Sequence, residues 1–433
     1  MGRLIAGRCR VWNPSHVGNS ESSTSSDTDG AEPPKARRWP RSRWYLIGGI
    51  VASVVIAVSA VLFFFGDPEP TEFYSAPEDI PATPGTIIDS EPFEGRTPLG
   101  SEAWRIMYVT TDNDGAPVAA TGLIIAPGDL PDGPAPVLVW AHGTTGIDTS
   151  CAPSLSGNPM LGTPDLGEAL DEGWVIAMPD YVGLGTDDDH PYLIGDITAR
   201  ATLDSVRAVH DFDEDFNLTD DYAVWGHSQG GHAALFAGNQ AEEYLPEKEL
   251  VGVVALSPPT YLDHNLDTME SSEIGSIVQI YAVSAWSNYY PDVHTGILAD
   301  EAQDSLSNVV STCINSVSGL RIIVEVATLP DDVIEGDIAE DPDLVARAEE
   351  NSVDPEAGRA PTFIGQGDDD ELVFVEITEN WVRDRCDSAA PTTWIKYGMQ
   401  DHVGTLDQGG DDALDWTIDR FAGEELASTC PSD

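Results

Sequence analysis

Trp225-Gly226-His227-Ser228-Gln229-Gly230-Gly231 follows the short apolar run Tyr222-Ala223-Val224 and leads into His232-Ala233-Ala234-Leu235-Phe236-Ala237. The first run has the aromatic and branched residues of a strand, and the last has the composition of a helix. A Gly-x-Ser-x-Gly turn at such a junction is a nucleophile elbow. It forces the serine into a strained backbone conformation that flanking glycines make sterically feasible. The hydroxyl then projects above the strand ends, where the N-terminus of the next helix favours developing negative charge. Ser228 is the candidate nucleophile.

Outward from the elbow, strand-like and helix-like segments alternate, which predicts an α/β fold with a largely parallel sheet. The strands are expected at 105–110, 118–125, 137–142, 174–178, 222–226, 250–256, 362–366 and 394–397. Ala199, Leu203, Val206 and His210 share one helical face, as do Leu414, Ile418 and Phe421 near the end of the chain. From about 257 to 360 the alternation stops, and this stretch reads as a cap inserted over the sheet.

A serine hydroxyl needs a histidine to take its proton and a carboxylate to orient that histidine. On a sheet built around such an elbow they follow in the order Ser, acid, His. His232 sits one turn into the helix that leaves the elbow and is expected to point away from the attack site, as a packing residue. His264 and His294 fall in the cap. His402, in the loop after the last strand, is the candidate base. The strand before that one opens into Asp368-Asp369-Asp370-Glu371. Asp370, three residues after Gly367, fits a turn that returns its carboxylate beneath the histidine. Asp263, after the preceding strand, is the alternative, and Asp368 and Asp369 read as solvated charges.

An oxyanion hole requires two main-chain N–H groups. One is expected from Gln229, directly after the nucleophile, and the other from the loop after the third sheet strand. There Val137-Leu138-Val139-Trp140-Ala141 runs into His142-Gly143-Thr144-Thr145-Gly146. Thr144 is the expected donor, with Gly143 allowing the turn and His142 shaping the loop. Asp187-Asp188-Asp189-His190 reads as a solvated acidic loop rather than a metal site, and neither metal nor cofactor is expected. Asn217-Leu218-Thr219 matches a glycosylation sequon.

The N-terminus carries a second signal. From 44 to 66 run 23 residues without a charge, preceded by Lys35, Arg37, Arg38, Arg41 and Arg43 and followed by Asp67, Glu69 and Glu72. As a helix this run would be about 35 Å long, enough to cross the roughly 30 Å core of a bilayer. The positive flank places residues 1–43, a disordered segment, in the cytoplasm. A Pro- and acid-rich linker (67–85) and the main domain (86–433) then lie outside, on a single-pass cell-membrane protein. A cleaved signal peptide, giving a secreted form, is the competing reading. It normally has a shorter apolar region and a small-residue cleavage site, and this run ends instead in Phe63-Phe64-Phe65-Gly66.

Cys9 falls inside, and Cys151, Cys313, Cys386 and Cys430 fall outside, where an oxidising compartment lets them pair. Spacing alone leaves three connectivities open. Residues 1–66 hold 8 Lys+Arg and 4 Asp+Glu of the chain's 20 and 75, so the exterior part has 12 and 71 and a formal charge of −59. Such a surface repels nucleic acid and anionic headgroups and excludes both as ligands. The acids are spread along the chain rather than blocked, which reads as adaptation to a saline exterior.

Taken together, these residues resemble the secretory lipase family of α/β hydrolases, the group that includes lipase A-type yeast enzymes. The likeness covers roughly 72–433. It is carried by His142-Gly143-Thr144-Thr145-Gly146 with Cys151-Ala152-Pro153-Ser154, by Asp180-Tyr181-Val182-Gly183-Leu184-Gly185, by His190-Pro191-Tyr192-Leu193, by the Ser228 elbow, and by Gln366-Gly367 with Asp370. It implies a capped α/β-hydrolase fold, lipase or esterase activity on a small-molecule or lipid ester, and the triad Ser228–Asp370–His402. It also implies the disulfides Cys151–Cys313 and Cys386–Cys430. Acyl transfer or amide hydrolysis on the same triad, and a catalytically dead scaffold used for binding, are the rival expectations.

Overall fold

A computed structural model describes residues 68–130, 133–164, 166–212, 216–269, 273–298, 303–314 and 338–431. The expected span at 44–66, the segment 1–43 and Cys9 lie outside the described residues. Among the described residues no helix is long and apolar enough to cross a membrane.

Nine strands form one sheet: β1 (Ile87–Pro92), β2 (Ser101–Thr111), β3 (Pro117–Pro127), β4 (Ala135–Ala141), β5 (Val175–Val182), β6 (Leu218–His227), β7 (Glu249–Leu256), β8 (Thr362–Gly367) and β9 (Thr392–Tyr397). Their spatial order is β1-β2-β3-β5-β4-β6-β7-β8-β9. β1, β2, β3 and β5 pair antiparallel, and β5, β4, β6, β7, β8 and β9 pair parallel. The chain leaves β4 toward one edge and returns to lay β6 on β4's other side, so the strand order reverses between them. In open α/β sheets the crevice at the strand C-termini of such a reversal is where ligands bind.

Both faces of the parallel region are covered, which is why its strands read as unbroken apolar runs. Val137 and Val139 of β4 and Val224 of β6 pack toward α2 (Gly195–Asp211) and α3 (Gln229–Tyr244), through Leu203, Val206 and Ala234. Leu138, Trp140 and Trp225 face the other way, toward α1 (Leu166–Asp171) and α9 (Gly404–Phe421), through Leu170, Leu406 and Trp416. Fully buried side chains such as Leu138 and Val139 each contribute about 1.5–3 kcal/mol. On α9 the buried stripe runs through Ala413, Trp416 and Arg420, while the expected Leu414, Ile418 and Phe421 pack half-buried along its edge.

Between β7 and β8 the chain makes α4 (Leu262–Met269), α5 (Glu273–Tyr289), α6 (Gln303–Val310) and α7 (Pro342–Glu350), with no described strand among them. Leu262, Tyr281, Trp286 and Leu344 from these helices share a core with Val182, Tyr192, Ile194 and Ile197 of the sheet domain. After β8, α8 (Val375–Asp387) leads back to β9.

Two elements depart from the sequence reading. β1 was not expected, because after Ile87 and Ile88 it runs Asp89-Ser90-Glu91-Pro92, and its burial pattern shows no buried residue. Charges and proline suit a sheet edge, where one side needs no partner. β5 runs on through Pro179-Asp180-Tyr181-Val182, four residues past the strand end expected at 178. The polar stretch can be strand because the buried Asp180 carboxylate accepts bonds from Ser154 N (2.9 Å), Ser154 Oγ and Thr121 Oγ1 (2.7 Å).

Candidate active site

The elbow joins β6 to α3, and Ser228 has φ 56° and ψ −121°. A non-glycine residue held at positive φ stores on the order of 1–3 kcal/mol. The glycines on either side allow the turn to close. A Cβ on Gly226 would lie 1.9 Å from Gly230 O, and one on Gly230 would lie 1.9 Å from Ala141 O of β4. The turn therefore sits against the end of β4, at the reversal in strand order.

The loop leaving β4 is packed onto the elbow. A Cβ on Gly143 would stand 3.2 Å from His227 O and 3.7 Å from Ser228 Cβ. His142 stacks on Tyr181 with ring centroids 4.4 Å apart, and Tyr181 OH donates to His142 O at 3.0 Å. Burial pushes the His142 pKa down to about 4, so the ring is neutral at ordinary pH. Thr144 Oγ1 lies 2.8 Å from Tyr192 OH, and Tyr192 O accepts from Trp286 Nε1 of the cap at 3.0 Å. Ile314 N donates to Thr145 O at 2.8 Å, and Cys151 is bonded to Cys313. The cap is thus bonded directly to Thr145 and, just beyond the loop, to Cys151, and it reaches Thr144 indirectly through Tyr192. A second disulfide joins Cys386 to Cys430 beyond the last helix.

Gln229 opens α3, where first-turn N–H groups lack intrahelical acceptors. Its side chain is buried and donates from Nε2 to His190 Nε2 at 3.1 Å, while His190 Nδ1 donates to Val182 O at 2.9 Å. These partners set the His190 tautomer. Burial drives its pKa down to about 3, so the ring stays neutral. His190 therefore turns inward, away from the exposed Asp187, Asp188 and Asp189.

Asp370 and His402 meet. His402 Nδ1 lies 2.8 Å from Asp370 Oδ2, and the Asp370 side chain is wholly buried. Asp370 Oδ1 accepts from Leu372 N (3.0 Å) and Val373 N (2.9 Å), and Oδ2 also accepts from Gln366 Nε2 (2.7 Å). Burial by itself would push this carboxyl up. The His402 hydrogen bond and charge and the two amides outweigh it and hold the pKa below its ordinary value. Asp368 is exposed and its Oδ1 accepts from Met399 N at 2.5 Å, so it braces the turn before His402 rather than standing free in solvent. Asp263 lies elsewhere, on α4, 3.4 Å from His264 Nε2.

His402 is fixed beside the elbow through His227, whose Nε2 donates to His402 O at 2.8 Å and whose ring lies 4.8 Å from the His402 ring, centroid to centroid. Burial and the neighbouring His402 charge press the His227 pKa down to about 3. His402 Nε2 is buried and has no hydrogen-bond partner among the described residues. It is the ring nitrogen opposite the one Asp370 holds. His232, by contrast, bonds Asn351 O at 2.7 Å and is a packing residue. His227 and Gln366 were given no role in the sequence reading, although both lie within the motifs that carry the resemblance.

The sequence profile of the secretory lipase family matches residues 164–429. A probable inactive lipase of Mycobacterium tuberculosis is 26% identical over 383 residues, 83% of this chain and 83% of its own. Lipase 5 of Candida albicans is 23% identical over 410 residues, 88% and 87% of the two chains. The crystal structure of Candida antarctica lipase A superposes with a TM-score of 0.71 at 21% identity, covering 84% of this chain and 88% of that one. A profile match over more than half of the chain, on an α/β-hydrolase sheet with this elbow, establishes that the chain belongs to the secretory lipase family.

Proposed function

We propose that this protein hydrolyses carboxylic esters through an acyl-enzyme formed on Ser228. The observation that carries the reading is the buried Asp370–His402 pair standing beside a strained elbow serine. Ser228 Oγ attacks the ester carbonyl while His402 Nε2 takes its proton. The main-chain N–H groups of Thr144 and Gln229 bind the tetrahedral oxyanion. His402 returns the proton to the departing alcohol, then takes one from water, whose oxygen attacks the acyl carbonyl, and hands that proton to Ser228 Oγ as the acid is released. Asp370 stays ionised throughout and holds the imidazole in the tautomer that leaves Nε2 free to accept. A relative named as probably inactive makes the opposite reading concrete, but Ser228, Asp370 and His402 are all in place here. Labelling with a fluorophosphonate probe and hydrolysis of nitrophenyl esters of rising acyl length decide between them. A chain that is neither labelled nor active on any ester is a dead scaffold.

Residues 44–66 are proposed as a single membrane anchor with the hydrolase outside. The charge-free run, its basic flank and the two disulfides of the exterior part support this reading. Protease added to intact cells or spheroplasts is expected to release an active fragment lacking residues 1–66. A mature chain that already begins after the apolar run would replace the anchor with a cleaved signal.

The formal charge of −59 on residues 67–433 is proposed as adaptation to a saline exterior. Raising salt shortens the Debye length from about 10 Å at 0.1 M to about 3 Å at 1 M, which relieves self-repulsion. The melting temperature is expected to climb across that range. A flat or falling profile would rule the adaptation out.

A further inference from the structure

Gln366, the fifth residue of β8, is fully buried, and every bonding group of its side-chain amide is engaged. Nε2 donates to Asp370 Oδ2 (2.7 Å) and to Val373 O (3.0 Å), and Oε1 accepts from Thr378 Oγ1 of α8 (3.1 Å). The carboxylate oxygen it touches is the same one that receives His402 Nδ1. We propose that Gln366 is a positioning residue for the triad: its amide fixes Asp370 Oδ2 on the line to His402 and moderates how strongly that carboxylate holds the imidazole proton. The inference rests on the assignment of Asp370 and His402 as acid and base.

A carboxylate offers about four lone-pair sites, and here all four are occupied, by Leu372 N, Val373 N, Gln366 Nε2 and His402 Nδ1. A group held from four sides cannot rotate away from the ring it orients. The Gln366 N–H also presents its positive end to Oδ2, which reduces the pull of the carboxylate on a protonated His402. The titratable groups facing Asp370 among the described residues are His402 and His227. His227 stays neutral at working pH, so the readout belongs to His402.

The test uses the whole chain and the pH profile of kcat/KM on a nitrophenyl ester. Gln366→Met keeps the side chain's length but cannot donate. It is expected to lower kcat by about 10–100-fold with KM changed less than about twofold, and to move the acidic limb up by about half a pH unit. Gln366→Glu keeps the shape, and its carboxylic acid can donate to Oδ2 only while protonated. Its profile is expected to become bell-shaped, with activity falling again as the new acid ionises. If Gln366→Met does not fold, the Gln366→Glu profile decides alone. An unmoved acidic limb in Gln366→Met, or a plateau in Gln366→Glu that persists to alkaline pH, overturns the proposal. Asp370→Asn assayed alongside separates the two failures. An active Asp370→Asn defeats the triad assignment itself, whereas an inactive one with unaltered Gln366 variants defeats only the role of Gln366.

Discussion

Ser228→Ala and His402→Ala are each expected to lower kcat by about 10⁵–10⁶-fold, and the double variant to lose little more. The two side chains act as one unit: without the base the hydroxyl keeps its proton, and without the hydroxyl the base has nothing to activate. A loss of 10⁶ corresponds to about 8 kcal/mol of transition-state stabilisation. What survives is expected to exceed the uncatalysed rate, because the amides of Thr144 and Gln229 would still meet the oxyanion. Neither change should unfold the protein. Alanine at 228 keeps the φ of 56° and its strain, and without the His402 ring the Asp370 carboxylate still accepts from Leu372 N, Val373 N and Gln366 Nε2. Fluorophosphonate labelling should vanish in Ser228→Ala while the far-ultraviolet spectrum stays that of the wild type. Ester turnover in Ser228→Ala within tenfold of wild type would mean that another nucleophile does the chemistry.

The sequence was informative where backbone geometry is demanding and poor where a role depends on distant partners. The elbow could be read from Gly226 and Gly230 around Ser228, because only glycine closes a strand-to-helix turn at positions where a Cβ would sit 1.9 Å from a carbonyl oxygen. The parallel strands could be read because burial on both faces leaves unbroken apolar runs such as Val137-Leu138-Val139-Trp140. β1 could not, since an edge strand buries too little to need an apolar pattern. The extension of β5 through Asp180 depends on Ser154 and Thr121, residues 26 and 59 positions away. Tyr192 and Gln366 stand in recognisable motifs that assign them no role, and His190, read with the solvated acidic loop, is buried. What each does is fixed by a contact made only on folding: Gln229 for His190, Thr144 and Trp286 for Tyr192, Asp370 for Gln366. Among four consecutive acids, composition left Asp370 as a choice of turn geometry. The distinguishing property is burial, with Asp370 enclosed and Asp368, Asp369 and Glu371 exposed.

That enclosure makes Asp370→Asn the sharpest test of the assignment, and it is expected to lower kcat by on the order of 10³–10⁴-fold. The aspartate faces donors only: two amides at Oδ1, and Gln366 Nε2 with His402 Nδ1 at Oδ2. An asparagine must turn its own NH₂ toward one of these pairs. Facing His402, it forces Nδ1 to accept and moves the ring proton to Nε2, where it blocks removal of the serine proton. Facing the loop, it sets a donor against the N–H groups of Leu372 and Val373 and opens the turn that carries it. Either way the base is lost, and with it the negative charge that stabilises the imidazolium. The change also alters acid stability in a predictable direction. The folded-state pKa of Asp370 is depressed, so its ionised form adds stability at neutral pH. That contribution is lost as pH falls below the unfolded carboxyl value of about 3.9. Wild type and Asp370→Asn should therefore differ in melting temperature at neutral pH and converge in acid. Asp263→Asn should change turnover less than about threefold, because its side chain pairs with His264 on α4 and has no contact with His402. Asp368→Asn should be similarly mild, since an asparagine oxygen can still accept from Met399 N. An inactive Asp263→Asn beside an active Asp370→Asn would move the acid to the end of the earlier strand and undo the assignment.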